Sequence, residues 1–116
     1  RAWTTTRFIE LPPLPADTPV EAEWPFTVDH GIEFTKDGKF LCVLATTGNY
    51  LAVYSYPQLE LVKTVPLGVE PSYLTFSPEG DSLYITSRVK GGLMVLSVPD
   101  FEVRAQAAET GRRPQR

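Results

Sequence analysis

The sequence predicts an all-β fold built from two successive four-stranded antiparallel units. Three observations carry this prediction. The chain repeats itself at a spacing in the low forties, its apolar runs are strand-length and rich in β-branched and aromatic residues, and turn formers separate them at short intervals. With 11 Pro and 8 Gly among 116 residues, turn formers are dense enough to favour short strands and loops over long helices.

Sliding the chain along itself by 42 residues sets Phe34 on Phe76, Gly38 on Gly80, Leu41 on Leu83 and Leu51 on Leu93. The same shift sets Val53 on Val95, Ser55 on Ser97, Pro57 on Pro99 and Glu60 on Glu102. After one inserted residue, Gly68-Val69-Glu70-Pro71 is echoed by Gly111-Arg112-Arg113-Pro114. A period of this size is that of a four-stranded propeller blade. Helical repeats of similar length are excluded by runs such as Leu83-Tyr84-Ile85-Thr86-Ser87, which are too short and too often punctuated to be packed helices.

Each unit reads as strands a to d. In the first, strand a covers 31–34, Thr35-Lys36-Asp37-Gly38 turns, and strand b covers 39–45. Gly48-Asn49 then turns into strand c at 50–55, and Pro57-Gln58 into strand d at 59–66. In the second, strand a covers 72–76, and Ser77-Pro78-Glu79-Gly80 turns with Gly supplying a positive φ. Strand b at 82–87, a Lys90-Gly91-Gly92 hairpin, strand c at 93–98, a Pro99-Asp100 turn and strand d at 101–107 complete it. Connections this short join antiparallel neighbours.

The organisation expected is therefore 1–30 as an N-terminal strand and Pro-rich crossing, 31–71 as the first blade, and 72–116 as the second blade with the start of the next link. Arg7-Phe8-Ile9-Glu10-Leu11 is the expected strand, a candidate strand d of a preceding blade. The prolines at 12, 13, 15, 19 and 25 make residues 12–25 extended and irregular, with Trp24 and Phe26 as candidates to pin the crossing to a blade. A start at Arg1, with neither initiator Met nor apolar leader, is expected of a processed, truncated or partly traced polypeptide.

The turn Ser77-Pro78-Glu79-Gly80, the strands Leu83-Tyr84-Ile85-Thr86 and Val95-Leu96-Ser97-Val98, and the link Gly68-Val69-Glu70-Pro71 resemble the YVTN-type β-propeller repeat. That repeat has a Ser-Pro-Asp-Gly turn, a Tyr-Val-Thr-Asn strand and a Gly-x-x-Pro link. Here Glu79 replaces the Asp and Ser87 the Asn, and the first unit diverges further, with Thr35-Lys36 for Ser-Pro. Similar propellers include surface-layer proteins, lactonase-like enzymes, the d-type haem domain of nitrite reductase and the heavy subunit of amine dehydrogenase. The resemblance implies a periplasmic or extracellular setting. It does not choose a chemistry, because these proteins share architecture and not activity.

Propellers close with about four to eight blades, which hides their strand edges. Two blades leave two apolar faces without a neighbour, and repeats of this kind depend on nearest-neighbour contacts. Closure into a ring of copies, docking on other chains, or further blades of the same polypeptide would each cover them. The mild net charge of −3 gives no reason to expect a nucleic-acid partner, and no apolar stretch is long enough to span a bilayer.

Catalytic motifs are nearly absent. One His and one Cys assemble no zinc motif, and neither a phosphate-binding glycine loop nor a Gly-x-Ser-x-Gly elbow occurs. His30, just before strand a, is expected at the mouth of the central channel with Glu70, Arg112 and Arg113 at equivalent links. Neutral imidazole suits a haem or metal ligand or a general base; a surface or capping His is the plainer alternative. Arg88 and Lys90 on the b–c hairpin join Arg112 and Arg113 as a candidate basic rim, against the alternative of solvated loop charges. Cys42 is expected as a small buried apolar residue, and Tyr50, Tyr54 and Tyr56 as sheet-packing residues on one face.

These observations favour a non-enzymatic propeller segment acting as an interaction or structural module in a larger assembly, without a cofactor. The competing expectation is an extracytoplasmic redox-cofactor-binding or lactonase-like propeller, in which His30 and the basic rim serve a pocket and haem is possible.

Overall fold

The computed structural model describes residues 6–12, 29–46, 48–68, 71–87 and 92–107, with the backbone alone for residues 29, 30 and 105–107. The described residues form eight strands and no helix. The first sheet takes β1 (Asp29–Phe34), β2 (Phe40–Ala45), β3 (Tyr50–Ser55) and β4 (Leu61–Pro66), each beside the next. The second takes β5 (Pro71–Phe76), β6 (Ser82–Ser87), β7 (Leu93–Ser97) and β8 (Val103–Ala107) in the same order. All pairings are antiparallel, and the fold is a partial propeller of two blades. The strands match the units read from the sequence to within two residues at each end.

The two sheets stack, and one cluster of buried side chains lies between them. The forward face of the first sheet supplies Cys42, Leu44, Leu51, Val53 and Val65. The rear face of the second supplies Phe76, Leu83, Ile85, Met94 and Leu96, with Phe101 closing one end. A strand's side chains alternate between faces, so neighbouring residues on β2 and β3 point the other way. Val43, Ala45, Tyr50, Ala52 and Tyr54 form a second cluster on the rear face of the first sheet. Burial on both faces is why β2 and β3 read as continuous apolar runs and not as alternating ones.

Local geometry repeats as faithfully as the pairing. Each a–b turn is held by a hydroxyl: the Phe40 amide donates to Thr35 Oγ1 at 3.1 Å, and the Ser82 amide to Ser77 Oγ at 3.2 Å. The carboxylate partner has moved, however. Thr35 bonds Asp37, whereas Ser77 bonds Asp81, so Glu79 is not the structural counterpart that its place in the motif suggests. Each c–d turn contains a cis proline, Pro57 or Pro99, followed by a non-glycine residue at positive φ: Leu59 at 62° and Phe101 at 55°. Bulges recur where β1 meets β2 at His30, and where β5 meets β6 at Ser72. They recur again opposite β3 at Val62 and opposite β7 at Arg104.

The strand expected at Arg7–Leu11 is not formed: residues 6–12 carry no ladder and lie as a strap on the rear of the first sheet. Tyr50 donates from its hydroxyl to the Pro12 carbonyl at 2.8 Å, and Arg7 Nη1 donates to the Gln58 carbonyl at 3.0 Å. Trp24, Phe26 and most of the Pro-rich crossing lie outside the described residues. Tyr50 and Tyr54 share the buried rear face as expected. Tyr56 lies beyond the end of β3, exposed and edge-on to Phe34 with ring centroids 4.9 Å apart.

Phe101 holds the joint between the sheets. It is 2% exposed, meets Phe40 edge-on, and its burial offsets an uncommon backbone conformation. Phe101→Ala is expected to destabilise the protein by about 3–5 kcal/mol in chemical unfolding. Leu59→Ala, at a similar positive φ but less deeply buried, is expected to cost less.

Candidate functional site

The internal joint shows what a sheet of this chain needs from its neighbour. Besides the apolar cluster, polar and close contacts cross it among the described residues. Lys63 Nζ donates to the Asp100 carbonyl at 2.7 Å and pairs with Glu102 at 3.1 Å, gripping the second c–d turn. Thr46 donates from its buried hydroxyl to the Pro71 carbonyl at 2.7 Å. The two a–b turns also meet: a Cβ added at Gly80 would come within 2.8 Å of Lys36, while Gly38, its counterpart, has nothing within 4 Å. Gly80 therefore serves both its positive φ and the close approach of a neighbour.

Two sheet faces lack such a neighbour among the described residues. On the rear of the first sheet, Ile32 is 65% and Phe34 46% exposed. Their counterparts on the second sheet, Leu74 and Phe76, pack into the inter-sheet core. The strap covers part of this face. Ile9 and Leu11 line a groove of about 230 Å³ with Ile32, Leu41, Val43, Tyr54 and Leu59. Arg7 on the Gln58 carbonyl does for the first c–d turn what Lys63 does for the second. Tyr54 is 5% exposed, and its hydroxyl has no hydrogen-bond partner among the described residues. Burial, with Tyr50 adding to it, holds that phenol above its ordinary pKa.

The other open face is the forward side of the second sheet. Cross-strand pairing places Tyr73 with Thr86 and Leu93, and Thr75 with Tyr84 and Val95. Tyr73 is 67% and Leu93 39% exposed. Both faces carry large apolar side chains to solvent, Ile32 and Phe34 on one and Tyr73 and Leu93 on the other.

The polar site expected from the sequence is not assembled by the described residues. His30 lies within β1, at the bulge opposite β2, and not ahead of the strand. Ser72 takes the same place in β5. Glu70, Arg88, Lys90, Arg112 and Arg113 lie outside the described residues, so the channel-mouth cluster and basic rim stay as sequence expectations. No group of three or more His, Cys, Asp or Glu among the described residues could hold a metal ion. Cys42 is fully buried, and desolvation reinforced by Glu33 pushes its thiol up to about 12, which leaves it protonated and inert.

Sequence reading passed over Lys63, Gly31 and Tyr73. A signal was present: these are positions where the 42-residue register fails, Lys63 against Ala105 and Gly31 against Tyr73.

No protein-family model and no curated protein matches the sequence. Solved structures do match in fold. A candidate 6-phosphogluconolactonase from Bacteroides uniformis aligns with a TM-score of 0.67 at 22% identity, over 74% of this chain and 28% of its own. The dihydro-haem d1 dehydrogenase NirN aligns at 0.62 and 21% identity, over 69% of this chain and 17% of its own. The WD40 domain of Neurospora crassa Pan2 aligns at 0.55 and 23% identity, over 67% of this chain and 23% of its own. This chain thus spans between 17% and 28% of the length of these propellers, and the likeness concerns the fold alone.

The grip of Lys63 is expected to rest on the carbonyl and not on the exposed ion pair. Lys63→Met is predicted to cost about 1 kcal/mol. Glu102→Gln is predicted to stay within about 0.5 kcal/mol of wild type. Urea unfolding of the two variants checks this ranking.

Proposed function

We propose that this chain is a non-enzymatic β-propeller segment that serves as an interaction or structural module, with other sheets or protein chains covering its two open faces. One observation carries the reading. On the second sheet, where a neighbouring sheet exists, the apolar residues of strand a are buried, and on the first they are partly exposed: Phe76 is 9% exposed and Phe34 46%. Covering the exposed part of one such side chain is worth about 1 kcal/mol, so the two on each face, Ile32 with Phe34 and Tyr73 with Leu93, favour a cover. Propeller neighbours as different as a candidate lactonase, a haem d1 enzyme and a WD40 domain fit a scaffold whose fold does not dictate chemistry.

The isolated chain is expected to bind an apolar fluorescent dye in its folded state. Phe34→Lys and Leu93→Lys should each lower the signal at a cost of about 1 kcal/mol in stability, because each side chain is partly exposed and partly packed. A folded chain that takes up no dye would sink the reading.

A second reading, an extracytoplasmic redox propeller with His30 beside a haem, draws on a His standing at the strand-a bulge where the second sheet has Ser72. A visible absorption band in the purified protein that disappears in His30→Ala would replace the first reading with this one. No band at all removes it.

A further inference from the structure

Gly31 lies on the forward face of the first sheet, beside Leu44 and against the second sheet. A Cβ added there would come within 2.6 Å of Leu74 Cδ2 and 3.3 Å of Leu44 Cδ1. The internal joint is therefore a hole at Gly31 filled by the Leu74 side chain. The corresponding residue of the second sheet is Tyr73, beside Thr86 where the first sheet has Leu44. Tyr73 is 67% exposed, so a large ring stands where the first sheet presents a hole. The cation that grips the neighbouring turn is missing too: Val95 pairs with Ala105 as Val53 pairs with Lys63.

We propose that Tyr73 keys the forward face of the second sheet to a neighbouring four-stranded sheet of different sequence, one with Gly or Ala where Leu74 stands. The inference rests on reading the open faces as docking surfaces, and it names the partner that one of them accepts. A second copy of this chain does not fit. Its first sheet would bring Ile32, the counterpart of Leu74, against the Tyr73 ring. Ile is stiff at χ1 and cannot turn aside cheaply. Nor do the described residues of this face offer a lysine to hold an incoming c–d turn, Ala105 standing where the first sheet has Lys63. Specificity here comes from a steric element that rejects the wrong sheet, alongside apolar area that would attract any sheet.

The internal joint tests this size rule, because both sides of it belong to one chain. Gly31→Tyr puts the ring opposite Leu74, and Gly31→Tyr/Leu74→Ala supplies the small partner. The single variant is expected to melt on the order of 5 °C or more below wild type. The double variant is expected to recover most of that loss, so that the effects of the two substitutions are far from additive. If Gly31→Tyr does not fold, recovery of folding in the double variant supports the proposal equally. Wild-type melting of Gly31→Tyr, or no recovery in Gly31→Tyr/Leu74→Ala, would overturn it. So would wild-type self-association in sedimentation that both Leu93→Lys and Ile32→Lys abolish. Dye uptake by the wild-type faces does not involve the Gly31–Leu74 pair, so the wider reading and this one fail separately.

Discussion

The packing of the first sheet's forward face on the second sheet's rear face is the contact on which the rest of this structure depends. A four-stranded sheet has no interior of its own. Leu44, Leu51, Leu83, Ile85 and Leu96 reach full or nearly full burial because two sheets press together over them. The strands supply hydrogen bonds, but those bonds form in the presence of water and contribute modestly. Apolar burial between sheets is the larger favourable effect, and in a stacked repeat it is a property of neighbours and not of single units.

That dependence explains why the two units keep some features in common and relax others within this one chain. Turn hydroxyls, positive φ values after the cis prolines and the paired bulges recur at the same spacing, because each fixes the register that sends alternate residues to the correct face. A slip of one residue would exchange the two faces of a strand. Carboxylates at the turn tips face water, and there the solution is free to vary: Asp37 and Asp81 serve equivalent hydroxyls from different positions.

Much of the fold was legible in the sequence for the same reason. Periodic turn chemistry and strand-length apolar runs are local signals, and both sheets appear where those signals fall. The Arg7–Leu11 segment has strand-like composition but no ladder, since a strand exists only with a partner, and composition cannot supply one. The candidate site was less legible. His30 attracts notice as a chemically versatile residue, whereas Gly31 beside it defines the joint, and its importance depends on Leu74 being distant in sequence and adjacent in space. Lys63 looks like an ordinary surface charge until the carbonyl of Asp100 is placed beside it.

Departures from the repeat therefore carry more information than the matches. A perfectly regular array could add sheets indefinitely at either end, with each face accepting any copy. Here the joint inside the chain uses a glycine hole and a lysine grip, and the face that continues the array offers a tyrosine and an alanine in those positions. At the opposite end, a strap whose Arg7 holds the first c–d turn lies where a preceding sheet would contact the first. Apolar side chains are exposed on both faces, and shape makes those faces unequal. On the docking reading proposed above, such inequality would give a stacked β-sheet array an order, because the second sheet would fit a sheet of different sequence better than another copy of the first.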